Sequence, residues 1–376
     1  MIELILKNET QLKILREIWL KKKTTMLEIS NNLQIDRSNV SRNLKTLRSI
    51  GLIYYSNKKV KNSKRGRKTL QLQINYSFAY NIGITVTENF FLVLLMDLNF
   101  NVIRKETIFK EVNEKTIVND LINCIEIFSD FLEQVLFIAI SFPEPVDDEK
   151  GLILSSGIFP IKDMCLKNIL EERINIPVHL ENDANAGAIY HYYKNNGIYR
   201  FINFMFLSFY VNKKSINAIQ GNGIIINGEI YKGAHSFAGE APVIIPIWKQ
   251  NEKDYMDILK FQQYLKDEKK SHILKDYIDI YSKAASIIIN FLDSEIFIFG
   301  GHTEILPQFL LKSMVSKTKE KIIDNERRKI KIEIDNDGLE SIAKGSAMSF
   351  MNKIMNNYNM ANKVFLKLKK TTFSNF

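Results

Sequence analysis

The chain has 376 residues, of which 45% are hydrophobic and 25% charged, and its formal net charge is +10. This length predicts two or three domains of about 100–200 residues each, and only two cysteines exclude a disulfide framework or a cysteine-rich zinc site. No apolar run reaches the roughly 18 residues of a membrane span, and the first residues lack the pattern of a signal peptide. We therefore expect a soluble, cytoplasmic protein.

The positive charge is concentrated in the first fifth of the chain. Residues 1–75 hold 17 Lys and Arg against 5 Asp and Glu, whereas the remaining residues hold 35 against 37. A basic module on a near-neutral body is typical of a nucleic-acid binder. Solvated, lysine-rich surface is the alternative, and charge alone does not decide between them.

Residues 11–51 follow the spacing of a helix-turn-helix. Apolar residues predict a first helix over 11–22, Thr25 is a candidate N-cap of a second, and Asp36 or Ser38 can cap a third that ends at Gly51. The outward face of the third helix would carry side chains suited to phosphates and base edges in a major groove. These side chains are Arg37, Ser38, Asn39, Ser41, Arg42 and Lys45.

Residues 52–56 and 69–74 each show the alternation of apolar and polar residues that is typical of a strand. They flank a basic loop, so the pattern predicts a β-hairpin wing. The tip of this loop would reach a minor groove. It carries Lys64, Arg65, Gly66, Arg67 and Lys68. The whole module resembles the winged helix-turn-helix of bacterial repressors, and a small helical protein-interaction domain is the alternative.

From about residue 76, strand-like runs alternate with amphipathic helices, which predicts an α/β body with a mixed sheet. The sharpest motif is ENDANAGA at 181–188. An apolar strand ends there in an amide and a carboxylate, Asn182 and Asp183, before a helix of small residues. Ligand groups of α/β folds lie at such strand ends. Asp183 at a helix start could also be a simple N-cap.

Four segments together resemble the ROK family of sugar kinases and sugar-responsive repressors over essentially the whole chain. They are SFPEPVDDEKGLIL at 141–154, ENDANAGA at 181–188, GNGIIINGEIYKGAHSFAGE at 221–240 and INFLDSEIFIFGG at 289–301. The resemblance implies an actin/hexokinase-like (ribonuclease H-like) body of two α/β lobes. The implied domains are 1–75, 76–182 completed by residues from about 355 to 376, and 183–354, the last for ligand sensing and dimerisation.

The same resemblance implies roles for three residues. Asn182 and Glu240 would hydrogen-bond sugar hydroxyls, and Asp183 would stand where a kinase holds its catalytic base. The family usually has an Asn near the position of Ile158. Two interpretations of the three residues therefore stay open: they still bind a small ligand, or they are a structural remnant.

Departures from the family pattern predict that the body is not a kinase. The first phosphate loop of the family reads Asp-x-Gly-Gly-Thr, whereas residues 81–85 read NIGIT, with Ile84 at a glycine position. The second glycine loop is replaced by LSFYVNKKSINAIQGNG, with Phe209 and Tyr210 where glycine is expected. Glycine lets backbone N–H groups approach a phosphate closely, and these residues do not.

The family's zinc element is also missing, because APVIIPIWKQNEKDY after Glu240 contains neither His nor Cys. His235 and His302 are expected at the surface or in packing, and we expect no metal and no cofactor.

These observations predict a DNA-binding transcriptional regulator, a repressor of carbohydrate-metabolism genes with a catalytically inactive body. Its expected partners are double-stranded operator DNA, a sugar or other small effector, and further copies of itself in a homodimer or larger homo-oligomer. The alternative is an active ATP-dependent sugar kinase with an appended DNA-binding module.

Overall fold

The computed structural model describes residues 5–60, 69–154, 161–211, 214–250 and 256–372. It contains an N-terminal unit and two α/β lobes. The basic loop tip expected at residues 64–68, and Ile158, lie outside the described residues. Among the helices described, none is long and apolar enough to cross a membrane.

The N-terminal unit consists of three helices and an antiparallel hairpin, as predicted. They are α1 (Glu9–Lys21), α2 (Met26–Leu33), α3 (Arg37–Ser49), β1 (Ile53–Val60) and β2 (Thr69–Ile74). Thr25 and Glu28 form a capping box at the start of α2, and Asp36 accepts a hydrogen bond from the Asn39 backbone N–H at 2.9 Å as the cap of α3. Gly51 ends α3 with a φ of +89°, a conformation that favours glycine.

The first lobe is built on a mixed five-stranded sheet in the order β5-β4-β3-β6-β9. Its strands and their flanking hairpin and helices are β3 (Tyr80–Val86), β4 (Phe90–Asp97), β5 (Val102–Phe109), α4 (Ile117–Glu126), β6 (Val135–Phe142), β7 (Val146–Asp147), β8 (Leu152–Ile153), α5 (Leu166–Ile174) and β9 (Val178–Asn182). β3, β6 and β9 are parallel, and β4 and β5 are antiparallel. One face of the sheet forms a core with α4 and α5.

The second lobe has a sheet in the order β12-β11-β10-β14-β15, with β13 paired to β11. Its elements are α6 (Asp183–Lys194), β10 (Ile202–Val211), β11 (Ser215–Ile226), β12 (Glu229–Ile230), β13 (Glu240–Lys249), α7 (Ile258–Leu265), α8 (Lys275–Leu292), β14 (Ile296–Gly301), α9 (Gln308–Lys319), α10 (Asn325–Arg328) and β15 (Lys331–Ile334). Helices α7, α8 and α9 share a core with one face of this sheet, and α6 packs on the other.

The last two helices, α11 (Leu339–Asn356) and α12 (Tyr358–Thr372), return to the first lobe. Small residues let α11 lie directly against β3 and α6. A Cβ on Gly345 would stand 1.9 Å from the Ala186 carbonyl oxygen, so glycine is required there. α6 and α11 therefore form a tightly packed pair between the two sheets.

Candidate nucleic-acid interface and interlobe cleft

The face of α3 that points away from the N-terminal core is polar and basic. Val40, Leu44 and Leu47 are buried, because the 3.6-residue repeat of the helix turns them toward the core of the N-terminal unit. Five of the six predicted side chains are exposed and one, Asn39, is half-buried; the exposed ones are Arg37, Ser38, Ser41, Arg42 and Lys45.

Two of these polar side chains are held by hydrogen bonds at the start of α3. The Ser38 hydroxyl donates to Asp36 at 2.5 Å, and the Asn39 side-chain oxygen accepts from the Asn43 amide at 2.7 Å. The bond from Ser38 is the largest of the interactions that lower the pKa of Asp36. The first turn of α3 is therefore ordered by its own side chains.

Asn182 and Asp183 lie where β9 of the first lobe ends and α6 begins. The Asn182 side-chain oxygen accepts from the Asn185 backbone N–H at 3.0 Å, so Asn182 is the N-cap of α6. Asp183 is the first residue of the helix and accepts from the Ala184 N–H at 2.6 Å. The capping role considered for Asp183 thus belongs to Asn182, and Asp183 is a buried carboxyl group at the helix start.

Carboxyl groups from both lobes converge on Asp183. Burial raises the pKa of Asp183 well above its usual value, and the charges of Glu240, Glu88 and Glu144 raise it further. Burial raises the pKa of Glu88 to about 7, with Glu144 contributing. Partial desolvation and Glu144 raise the pKa of Glu240 as well, but this residue is exposed and its shift is therefore the weaker observation. Sequence reasoning identified Asp183 and Glu240 but missed Glu88 and Glu144. Glu144 could have been noticed within the SFPEPVD segment.

The expected position of the first phosphate loop is wrong. Residues 81–85 lie inside β3 and pair with both β4 and β6, so they form no loop. A Cβ on Gly83 would meet the Ala343 carbonyl oxygen at 2.8 Å, so this glycine permits the approach of α11 rather than of a phosphate. Ile84 is buried in the core of the first lobe. The turn that follows β3 contains the buried Glu88 instead.

The residues expected in place of the second glycine loop lie largely in two paired strands. β10 and β11 pair continuously from Ile202 with Ile225 to Val211 with Ile216. Phe209 and Tyr210 lie within these paired strands, opposite Ala218 and Asn217. Backbone N–H groups committed to a strand ladder are not available to surround a phosphate.

Two histidines have the packing and surface positions expected of them. His302 is buried, with its ring 6.4 Å from that of Phe90 and 6.2 Å from that of Phe206, and burial lowers its pKa to about 4. His235 is exposed. β13, which follows the family's Ala-Gly-Glu, contains no Cys or His in its sequence, so it does not provide the donor set that zinc requires.

Comparison with known protein families divides the chain in the same way. Residues 81–247 match the profile of the ROK family, and residues 7–54 match a winged helix-turn-helix DNA-binding profile. Similar curated proteins include the xylose repressor of Staphylococcus xylosus, 27% identical over 255 residues, which covers 66% of this chain and 63% of the relative. The xylose repressor of Bacillus subtilis is 26% identical, and the match covers 62% of this chain and 59% of the relative. These matches therefore span less than two thirds of either repressor.

Solved structures share the fold at low sequence identity. A ROK family transcriptional regulator described as a homolog of the E. coli MLC protein has a TM-score of 0.70 at 16% identity, covering 95% of this chain and 98% of that one. The ROK hexokinase from Thermus thermophilus has a TM-score of 0.55 at 15% identity, covering 74% of this chain and 100% of that one. The chain thus combines a segment that matches a winged helix-turn-helix DNA-binding domain, residues 7–54, with a segment that matches the ROK family, residues 81–247.

Proposed function

We propose that this protein is a DNA-binding transcriptional repressor that responds to a sugar and does not phosphorylate it. The observation that carries the proposal is the exposed basic face of α3, with Arg37, Arg42 and Lys45, on a chain whose kinase-like body retains Asn182 and Asp183. Two relatives are named xylose repressor, which makes D-xylose the first sugar to test. A repressor acts on chromosomal DNA, so we place this one in the cytoplasm.

The carboxyl groups around Asp183 suit hydroxyl groups better than phosphates. A pKa of about 7 for the buried Glu88 leaves a large share of it protonated near neutral pH. A protonated carboxyl group both donates and accepts hydrogen bonds, as a sugar hydroxyl does. Once ionised, the same groups repel a phosphate. A neutral polyhydroxyl ligand is therefore the class that fits this cleft.

The same groups oppose kinase chemistry. A catalytic base must be ionised, but burial and the neighbouring carboxylates favour the protonated form of Asp183. Phosphoryl transfer depends mainly on positioning and on stabilising charge at the phosphate. Here Glu88 occupies the β3–β4 turn, and Phe209 and Tyr210 lie in the β10–β11 ladder where the family has glycine.

We expect no measurable binding of Mg-ATP and no ATP-dependent phosphorylation of glucose, mannose, N-acetylglucosamine, fructose or xylose. Isothermal titration calorimetry tests the binding, with the hexokinase from Thermus thermophilus as the positive control. The Glu88→Gln variant should also fail to bind, because the β10–β11 ladder remains. Saturable micromolar binding of Mg-ATP to the wild type would show that the cleft still accepts a nucleotide.

We further propose that two copies of the chain associate through α8. Phe291 is 85% exposed and Ile287 is 57% exposed, and Ile280 lies two turns before Ile287 on the same helix face. The backbone N–H of Ile323 donates to the side chain of Asn290 on α8 at 3.1 Å, which places Ile323 beside this helix. The exposed side chain of Ile323 therefore extends the apolar patch. Exposed apolar patches mark interaction sites, and a two-half-site operator requires a two-fold pair of reading helices. A second copy of the chain would cover this apolar patch and would also supply the second reading helix.

The Ile287→Glu and Phe291→Glu double variant should sediment as a monomer at micromolar concentration, where the wild type sediments as a dimer. The reason is that four carboxylates, two from each copy, would be buried close together at the two-fold interface. Ile103→Glu, which adds a charge at an exposed isoleucine of β5, is the matched control and should leave the dimer intact. An unchanged dimer in the double variant would place the interface elsewhere.

The proposed signal route runs along α6. This helix has 12 residues, a length of about 18 Å at 1.5 Å per residue. Its first residue is Asp183, and near its end the Tyr193 ring lies 5.4 Å from the ring of Trp19 on α1. One rigid element therefore contacts both the ligand cleft and the DNA-binding domain. A ligand that shifts α6 would change the orientation of α1 and α3, provided that it binds the two orientations unequally.

Mobility-shift assays with DNA fragments selected by the full chain test the proposal as a whole. We expect a specific complex that D-xylose or another sugar of the panel dissociates. A complex that no sugar affects would contradict the ligand-responsive part of the proposal.

A further inference from the structure

We propose that Lys232 is a positioning residue, which fastens the loop carrying Glu240 to the first lobe and so sets the spacing between Glu240 and the first-lobe carboxyl groups of Glu88 and Glu144. The inference rests on the proposed ligand-binding function of the cleft. It concerns a cluster of charged side chains behind that cleft, to which the sequence pattern assigned no role.

Lys232 follows β12 of the second lobe, but its ammonium group bonds to the first lobe. The Nζ atom lies 3.0 and 3.3 Å from the two carboxylate oxygens of Glu181 and 2.8 Å from Oδ1 of Asp148. Glu181 lies on β9, and Asp148 lies in the turn between β7 and β8. One side chain of the second lobe thus joins two segments of the first.

The cluster is balanced in charge and closed by hydrogen bonds. Lys353 of α11 pairs with Asp148, and the Ser349 hydroxyl donates to Glu181 at 2.8 Å. Burial opposes ionisation of Glu181, but the ammonium group of Lys232 and the contacts of His179 and Ser349 together outweigh it and keep the pKa of Glu181 below its usual range. Two ammonium groups therefore face two carboxylates. Buried charges tolerate such an environment only when they are paired.

The cation at this place is Lys232 rather than a metal. Ligand atoms of Asp148, His179 and Glu181 lie within 4.8 Å of one another, a spacing that could hold an ion. However, the Lys232 ammonium group already contacts both carboxylates, with 19% of its side chain exposed. Burial lowers the pKa of His179 and so opposes a positive charge on its ring.

The bridge connects directly to both sides of the ligand cleft. Glu181 immediately precedes Asn182 and Asp183, and the loop that begins at Tyr231 ends at Glu240. The Tyr231 backbone N–H donates to the Ile224 carbonyl at 2.7 Å, and at its other end the loop pairs with β11 through Glu240 and Gly221. Both ends of the loop are thus fixed to the second lobe, and Lys232 fixes it to the first.

The backbone of the loop that ends at Glu240 is constrained, so the loop can adjust little when the contacts of Lys232 are lost. Gly239 has a φ of +91°, and a Cβ there would lie 1.8 Å from the Asn222 carbonyl oxygen. The backbone N–H of Asn222 donates to the Gly239 carbonyl at 2.9 Å. Because Glu240 directly follows this constrained glycine, it is held with the second lobe. Loss of the Lys232 bridge therefore changes the distance of Glu240 from Glu88 and Glu144 of the first lobe rather than being absorbed within the loop.

The test compares Lys232→Met, Lys232→Arg and Lys353→Met. Lys353→Met is the control, because it removes the second ammonium group of the same cluster. Lys353 joins α11 to Asp148, and both lie on the first-lobe side, so its removal breaks no contact between the lobes. Calorimetry with D-xylose at pH 7 should show about tenfold weaker binding for Lys232→Met, in line with the coupling within such networks. Affinities within about threefold of the wild type are expected for Lys232→Arg and Lys353→Met. Equal losses in all three variants would overturn the inference.

A second measurement needs no sugar. Amide hydrogen exchange of ligand-free protein should be faster for residues 231–240 in Lys232→Met than in the wild type, and unchanged in Lys353→Met. Unchanged exchange in Lys232→Met would overturn the positioning role. A wild type that binds no sugar of the panel would count against the proposed function, while the exchange experiment would still decide the role of Lys232. Thermal unfolding of each variant confirms that it is folded.

Discussion

Replacing Arg42 with alanine should weaken binding to the specific operator by roughly 5- to 150-fold, about 1–3 kcal/mol, which is the usual cost of a lost base contact. Arg42 is exposed on α3, between Ser41 and the buried Asn43, and lies one turn before the exposed Lys45. Fluorescence anisotropy with the operator and with a scrambled duplex measures the effect. The loss should be much smaller on the scrambled duplex, because a phosphate contact alone carries no sequence information.

Arg327→Ala is the matched control for this experiment. Arg327 is also exposed, but it lies on α10 of the second lobe, so its removal changes the net charge equally without touching α3. We expect its operator affinity to stay within about twofold of the wild type, since long-range charge effects are screened at physiological salt. Equal affinities for the Arg42 and Arg327 variants would show that α3 does not read the operator.

Tyr193→Ala should remove the effect of the sugar on operator affinity while leaving sugar binding intact. Allosteric coupling is typically about 1–3 kcal/mol, or roughly 5- to 150-fold, and we expect the ratio of operator affinities with and without D-xylose to fall to about one. The physical reason is the ring contact of Tyr193 with Trp19, which joins the end of α6 to α1. Operator anisotropy measured at several sugar concentrations gives this ratio directly.

Tyr193→Phe keeps the ring and should keep the response. A spectroscopic readout is also available, because the chain has only two tryptophans, Trp19 and Trp248. In a Trp248→Phe background, the fluorescence of Trp19 should change when D-xylose binds, and the Tyr193→Ala variant should lose that change. A sugar response of wild-type size in Tyr193→Ala would exclude α6 as the signal route.

The N-terminal domain could be predicted closely because its signals are local. Thr25 and Asp36 are caps whose partners lie three residues away, and the apolar spacing of α3 separates its buried and exposed faces within 13 residues. The wing strands and the strand ends of the body followed from alternation and from the ENDANAGA motif in the same way. Such patterns depend on neighbours in sequence, so one sequence is enough to identify them.

The cleft was harder to predict because its chemistry depends on contacts between distant segments. Gly83 was interpreted as a phosphate-loop glycine, but it is explained by α11, which lies more than 250 residues later. Nothing near Glu88 or Lys232 in sequence indicates that Glu88 faces Glu144 or that Lys232 bonds to Glu181. These pairings appear only when the two lobes are assembled.

The most direct test of the central claim is DNase footprinting of genomic fragments selected by the full chain. We predict protection of an inverted repeat whose half-sites are one helical turn, or a multiple of one, apart, because two copies of α3 related by a two-fold axis read them. Protection should disappear when residues 1–75 are deleted. Binding without sequence preference, or equal protection by the truncated protein, would contradict the assignment of this chain as a DNA-binding repressor.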